Sequence, residues 1–275
     1  VACGSLHRPF FNSFFASFVV APEGPYMNQT TDSVKSILQP QISLQGFSVW
    51  SGDRWLVKDV SADLPSGAWC VLLGPNGSGK TTLLKALAGV LPRPWHIEGD
   101  FQRAAKSPQN RPAALAWVGQ SLHASEDMAV SEFVATSGHL FASGRATSPA
   151  RLNECAEAFG LKELLDLRLS TLSGGQWQRV RLAQGLSRDA DLILLDEPDS
   201  FLDARWRWGL WNLLERRRSS GATVITALHR FVDVRAWASH WWGLDDGALV
   251  FNESRQGVFP SHFVQKLFLE KSLTR

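Results

Sequence analysis

One stretch in the first third of the chain has the composition of a phosphate-binding loop. It fits the pattern G-x-x-x-x-G-K-[ST] in full and consists of Gly74, Pro75, Asn76, Gly77, Ser78, Gly79, Lys80 and Thr81. A buried strand is predicted before it and a helix after it, so backbone N–H groups and the helix N-terminus would surround a nucleotide β-phosphate. We expect Lys80 to reach the β- and γ-phosphate oxygens and the Thr81 hydroxyl to bind Mg²⁺, with Thr82 beside them.

A pair of carboxylates follows an aliphatic strand predicted at residues 192–195. Asp196 ends that strand at the carboxyl edge of the sheet, where ligands of open α/β sheets bind. Glu197 follows directly and points elsewhere, so the two side chains can divide the chemistry. We expect Asp196 to hold Mg²⁺ through water and Glu197 to polarise the attacking water. The alternative is a purely structural Glu-Pro turn.

A second glycine-rich motif, which opens another helix, lies between the phosphate loop and the carboxylates. It consists of Ser173, Gly174, Gly175 and Gln176, and its N–H groups form a further anion-binding helix end. General P-loop kinases and GTPases do not need such a motif. The order and spacing of the three motifs resemble the nucleotide-binding subunit of an ATP-binding cassette (ABC) transporter, from about Ile42 to Asn252.

This resemblance implies roles for four further residues. Gln120 resembles the glutamine that touches Mg²⁺ and the nucleophilic water and links to the membrane partner. His229 resembles the switch histidine that hydrogen-bonds the γ-phosphate, and Asp203 the aspartate that crosses the dimer interface. Trp50 resembles the aromatic residue that stacks on adenine, for which an indole face is suitable. Trp55 is close enough in the sequence to compete for this role.

Simpler explanations exist for several of these residues, and two positions depart from the family pattern. Gln120 could be a solvated loop residue, His229 a histidine satisfied at a strand end, and either tryptophan simple packing. The family usually has Thr where this chain has Asp199, and often Asp where it has Arg230. The sequence offers no account of either departure.

The implied partners follow from the family and from the glycine-rich motif at residues 173–176, which we call the signature motif. Because the chain already holds one γ-phosphate cradle, the Ser173 helix end should bind the γ-phosphate of a second copy, which implies an antiparallel dimer around two ATP molecules. Transmembrane permease subunits, and through them a periplasmic substrate-binding protein, would complete a transporter at the cytoplasmic face of the membrane. The importer ATPases for iron chelates, haem, vitamin B12 and zinc are most similar. An exporter subunit and a cytosolic iron–sulfur assembly scaffold remain as alternatives.

Composition sets broad limits on fold and partners. The 275 residues are 44% apolar, which is ample for a hydrophobic core. The net charge of +2 does not indicate a strongly positive surface of the kind that binds nucleic acid. The three cysteines (Cys3, Cys70 and Cys155) have no metal-type spacing, which favours reduced thiols. Alternating strands and helices predict an α/β P-loop NTPase with a mainly parallel sheet, an N-terminal antiparallel β subdomain and an inserted helical subdomain.

The predicted domain limits follow from changes in composition and hydrophobic periodicity along the chain. Residues 1–40 read as a leader, with an apolar run at residues 10–21 that is shorter than the roughly 20 residues a membrane span needs. We favour Met27 as the true start, against the alternative of a signal peptide. Residues 41–253 form the predicted ATPase domain, and residues 254–275 form a tail. The helical insertion is predicted at about 121–180, including amphipathic helices at residues 150–159 and 161–167.

Overall fold

The computed structural model describes residues 40–103, 114–120, 127–136, 149–229 and 234–254. The predicted leader, Met27, the tail from residue 255 and Arg230 lie outside these ranges. The strands are β1 (Pro40–Trp50), β2 (Trp55–Pro65), β3 (Trp69–Leu73), β4 (His96–Arg103), β5 (Leu115–Val118), β6 (Leu192–Asp196), β7 (Thr223–Ala227), β8 (His240–Asp245) and β9 (Ala248–Ser254). The helices are α1 (Lys80–Ala88), α2 (Val130–Ala135), α3 (Pro149–Phe159), α4 (Gly174–Leu186) and α5 (Ala204–Ser219).

The strands form a nine-stranded mixed sheet in the order β4-β1-β2-β9-β8-β3-β7-β6-β5. The pairs along β8-β3-β7-β6-β5 are parallel, whereas β4, β1 and β2 pair antiparallel. β9 joins the two parts, because it pairs antiparallel with β8 and, through Lys58 and Ala248, parallel with β2. The predicted fold class is therefore confirmed. In the parallel part, the carboxyl ends of β3, β6 and β7 meet at one edge, which is where the predicted site residues follow.

Two hydrophobic cores lie on opposite faces of the sheet. Alternate residues of the central strands point to each core: Trp69 and Val71 of β3 face the helices α2 to α5, while Cys70 and Leu72 face α1 and the antiparallel strands. All five residues of β3, β6 and β7 are buried, as continuous aliphatic runs predict. Among the residues that the structure describes, no helix has both the length and the apolar content to cross a membrane.

The prediction of a helix at residues 161–167 is wrong. Gly160 adopts a left-handed conformation (φ 57°) and ends α3 with a Schellman pair, Gly160 N to Glu157 O at 3.3 Å and Leu161 N to Ala156 O at 2.9 Å. The following residues form turns, with Leu164 N donating to Leu161 O. The apolar spacing that suggested a helix instead buries Leu161 and Leu164 in the core.

Candidate functional site

A cavity of about 710 Å³ opens at the carboxyl edge of the parallel strands. It collects residues that are far apart in the sequence: the phosphate loop, the ends of three strands and two turns of the antiparallel part. Its lining consists of Ser51, Arg54, Trp55, Leu56, residues 76–82, Trp95, Gln120, Glu197, His229, Asp246 and Gly247. The topology therefore brings all four predicted catalytic residues, Lys80, Gln120, Glu197 and His229, to one cavity.

The phosphate loop is shaped by close backbone contacts. Gly79 has φ 100°, and a Cβ at this position would meet Leu56 O at 2.6 Å, so only glycine fits without a shift. Gly74 likewise has no room for a Cβ, because Leu244 O and the Ser78 side chain fill that space. The α1 helix begins directly after Gly79, so its first N–H groups are directed towards the cavity. This geometry suits the anion cradle that the sequence predicts.

Lys80 folds back over the loop that precedes it. Its Nζ donates hydrogen bonds to Gly74 O at 2.8 Å and Pro75 O at 3.0 Å, and the side chain is buried. Burial lowers the pKa of Lys80, while the negative charges of Glu197 and Asp196 raise it. The ammonium group is thus held beside two carboxylates at the point where phosphate oxygens would lie.

Asp196 is a fully buried carboxylate that the fold leaves unsatisfied. Within the described ranges neither of its oxygens has a well-formed hydrogen bond, although the Thr81 hydroxyl lies nearby. Burial raises the pKa of Asp196, while the nearby Thr81 hydroxyl and the Lys80 ammonium group lower it. A buried carboxylate without a partner is costly in a folded protein unless it binds a cation. Its oxygens, next to a threonine hydroxyl, form the hard oxygen set that Mg²⁺ prefers.

The protein alone does not supply a complete metal cage at this position. Over the described part of the chain, no group of three or more His, Cys, Asp or Glu side chains could hold a metal ion.

Glu197 and His229 meet across neighbouring strands. Asp196 of β6 pairs with Ala227 of β7 in parallel register, so the residues that follow them emerge together. His229 Nε2 lies 2.7 Å from Glu197 Oε1. Glu197 has φ 49°, a strained conformation for a residue with a side chain, and its N–H donates to Ala227 O at 3.0 Å. Strain of this kind concentrates at functional sites, and here it turns the carboxylate towards the cavity.

Gln120 lies just beyond β5, at the same edge of the sheet. Its side chain is exposed and lines the cavity. The main-chain carbonyl oxygen of Gln120 accepts a hydrogen bond from Arg181 of α4. β5 is the strand next to β6, so Gln120 is brought beside the Asp196–Glu197 pair through the sheet alone.

The signature residues lie apart from the cavity. Ser173 caps α4: its Oγ accepts from Gln176 N at 3.3 Å, and Gln176 Oε1 accepts from Ser173 N at 2.8 Å. None of residues 173–176 lines the cavity. Asp203 is also outside the lining and caps α5 by accepting from Trp206 N at 3.0 Å. These residues are therefore helix starts, exposed at Ser173, Gly174 and Asp203, that do not line the same chain's cavity.

The structure separates the two candidate aromatic residues. Trp55 lines the cavity, whereas Trp50 does not. Their rings are 4.9 Å apart and tilted by 59°, because the two residues face each other across β1 and β2. Trp55 is therefore the candidate that lines the cavity, and the base-stacking role expected for Trp50 stays a prediction.

Other residues of the lining were not identified from the sequence. Asp246 and Gly247, in the β8–β9 hairpin, reach the loop because Gly247 N donates to Ser78 O at 3.1 Å, and Lys58 pairs with Asp246 at 2.8 Å. The sequence shows the hairpin turn but no sign that it packs on the phosphate loop. Trp95 carries no local signal either.

Comparisons with known proteins agree with this geometry. Residues 57–200 match the family model described as "ABC transporter". The ferric enterobactin transport ATP-binding protein FepC of Escherichia coli is 29% identical over 86% of this chain and 89% of its own. The zinc import ATP-binding protein ZnuC of Halorhodospira halophila is 32% identical over 83% of each chain.

A solved structure has the same fold. It is a dimeric, post-hydrolysis state of an ATP-binding cassette bound to ADP and phosphate. The two chains are 22% identical with a TM-score of 0.65, over 79% of this chain and all of the other. The phosphate loop, the carboxylates and the family match together lead to one conclusion. The chain belongs to the ABC transporter family and is one of its nucleotide-binding ATPases.

Proposed function

We propose that this chain is the ATP-hydrolysing subunit of an importer for a metal chelate or a metal ion such as zinc. One observation carries the chemistry: Lys80, Glu197 and His229 line the same cavity, and the buried Asp196 carboxylate precedes Glu197 at the end of β6. Lys80 would hold the phosphates, Glu197 would polarise the attacking water, and His229 would contact the γ-phosphate. Gln120 would orient the same water.

Magnesium would be held by the side chains already grouped for it. Thr81 would coordinate the ion directly, and Asp196 and Gln120 would contact it directly or through water. When bound, Mg²⁺ neutralises charge that develops on the phosphate oxygens. The residues of the chain then have three tasks: Lys80 binds the phosphates, Glu197 orients water, and the buried strand ends keep both in place.

A second copy of the chain would complete each site. Residues 173–176 are a helix start whose N–H groups are not used by the cavity of their own chain, and they suit the γ-phosphate bound by a partner in an antiparallel dimer. Asp203 would lie at the same interface. The dimeric state of the structural neighbour supports this arrangement.

The transport role rests on the named relatives. One is named as a transport ATP-binding protein for ferric enterobactin and the other as an import ATP-binding protein for zinc, which favours an importer over an exporter or an iron–sulfur assembly scaffold. We infer transmembrane permease subunits as partners, a position at the cytoplasmic face of the membrane, and a periplasmic binding protein reached through the permease. Nucleic acid is not an expected partner. The proposed domain limits are those predicted from the sequence, with the ATPase at residues 41–253 and the helical insertion at about 121–180.

The decisive experiment is to isolate the complex from its native membrane. Mass spectrometry should identify a permease with the chain, and the complex should release phosphate from ATP only when Mg²⁺ is present. Chelation of Mg²⁺ should abolish the release, and addition of Mg²⁺ should restore it. Isolation with cytosolic iron–sulfur assembly proteins and no permease would overturn the transport role.

A further inference from the structure

Helix α4 carries a row of buried side chains along one face, below its N-terminal motif. Gln178, Arg181 and Gly185 recur at intervals of three and four residues, so they lie above one another on that face. Gly185 packs directly on β5, since a Cβ there would collide with the Val118 side chain. This face of α4 therefore follows β5 to its end, where Gln120 lies.

Two side chains of this face connect two turns of the active site. Arg181 donates from Nη1 to the Gln120 carbonyl oxygen and from Nη2 to Gln178 Oε1 at 2.6 Å. Gln178 in turn donates from Nε2 to the carbonyl oxygen of Pro198 at 2.8 Å. Arg181 is only 6% exposed and Gln178 only 2% exposed. A continuous buried chain of hydrogen bonds thus runs from Gln120 through α4 to the residue that follows Glu197.

The electrostatics of Arg181 tie it to the same centre. Burial lowers the pKa of Arg181, and the negative charge of Asp196 raises it. Its Nε has no hydrogen-bond partner in the described part of the structure. A buried guanidinium group is costly, and simple packing would be served better by an apolar side chain of similar volume. The presence of this guanidinium group is explained if its two hydrogen bonds and its charge near Asp196 have a role in the reaction.

We propose that Arg181 and Gln178 are positioning residues for ATP hydrolysis, which couple the Gln120 segment to the backbone that orients Glu197. This inference rests on the function proposed above. Glu197 has a strained backbone (φ 49°), so its turn needs support from its surroundings, and the Gln178 bond to Pro198 provides it. A displacement of the Gln120 main-chain carbonyl would move Arg181 and Gln178 and so reach Pro198, because these linked side chains are buried and have few other hydrogen-bond partners.

The same helix begins with the signature residues. Gln178 and Arg181 follow Gln176 within the first two turns of α4, so they move with its N-terminus. The linkage would thereby join three parts of the proposed mechanism: the loop expected to face the permease, the helix end expected to bind the partner's nucleotide, and the turn that holds Glu197.

The test compares one substitution at two positions of α4. Gln178 and Gln184 are both 2% exposed, but Gln184 takes no part in the linkage, and its Nε2 has no partner among the described residues. In the full-length chain, Gln178→Met should lower kcat about 10- to 100-fold with little change in KM, because small misplacements of reacting groups have effects of this size. Gln184→Met should keep the wild-type kcat. Equal losses in both variants, or a change in KM alone, would refute the linkage.

A double-mutant cycle provides a readout that a general loss of stability does not reproduce. Arg181→Met and Gln178→Met break the same chain of hydrogen bonds, so the double variant should be about as slow as the slower single one. If the fold-losses in kcat of the two single variants multiply in the double variant, the two residues act independently, and the proposal is overturned. If Arg181→Met does not fold, Gln178→Glu replaces it: this side chain keeps an acceptor for Arg181 and loses the donor to Pro198, so kcat should still fall.

Wild-type activity separates the two proposals. If the membrane complex that contains the unmodified chain releases no phosphate from Mg²⁺-ATP, the proposed function fails. If it releases phosphate and the Gln178 and Arg181 variants match it, the function stands and the linkage is refuted.

Discussion

His229 Nε2 and Glu197 Oε1 lie 2.7 Å apart, although 32 residues separate them in the chain. The contact results from the register of β6 and β7, which places Asp196 opposite Ala227. The two side chains extend from adjacent strand ends into the cavity that Lys80 also lines. This pairing places the proposed base beside the residue that would contact the γ-phosphate.

Replacement of Glu197 by glutamine should stop turnover while leaving ATP binding intact. The amide keeps the size of the side chain but is a poor base, so the rate should fall about 10²- to 10⁴-fold. Phosphate release measures the rate, and size-exclusion chromatography with ATP should detect a trapped dimer. Normal hydrolysis by Glu197→Gln would show that another group activates the water.

The two tryptophans at the cavity mouth should differ in their effect on ATP affinity. Trp55→Ala should weaken binding by about 1–3 kcal/mol, the range for loss of a stacked base. Trp50→Ala should have a smaller effect, because Trp50 supports Trp55 from outside the cavity. Isothermal titration calorimetry of both variants gives the comparison. A larger loss in Trp50→Ala would return the stacking role to Trp50.

A large side chain at Ser173 should prevent dimer closure without affecting nucleotide binding to the monomer. Ser173→Arg places bulk and charge at the helix start that would face the partner's γ-phosphate. The change also removes the cap of α4, which costs about 1 kcal/mol, so Ser173→Ala serves as the control for that loss. Sedimentation with ATP should show dimers for Ser173→Ala in the Glu197→Gln background but not for Ser173→Arg. Loss of ATP binding in the Ser173→Arg monomer would contradict a role in trans.

Gly160→Ala should destabilise the fold by more than backbone strain alone explains. Gly160 has φ 57°, and the Trp206 ring occupies the space where a Cβ would lie. Gly67 is a matched control, because it has φ 73° but no atom within 4 Å of an added Cβ. Gly67→Ala should cost about 1–2 kcal/mol, from the left-handed backbone alone. The clash should add about 1–3 kcal/mol in Gly160→Ala.

Urea denaturation of the two glycine variants measures this difference. The Trp206 ring has little freedom to move, because Arg179 and Arg205 stack on it at 4.4 and 4.6 Å from the ring centroid. Equal free energies of unfolding for the two variants would mean that the ring yields easily.

The sequence by itself determined the elements whose signals are local. The phosphate loop is a contiguous pattern, and the five-residue strands β3, β6 and β7 are continuous apolar runs. For the same reason, Asp196 could be placed at the carboxyl edge of a parallel sheet before its neighbours were known.

Only the tertiary structure decided which distant residues meet. The choice between Trp50 and Trp55 depends on how β1 and β2 face the cavity. The bonds of Arg181 to Gln120 and Gln178 join three separate motifs through the interior. A sequence pattern records which side chains one element presents, whereas contacts between elements depend on sheet order and packing, for which no local pattern exists.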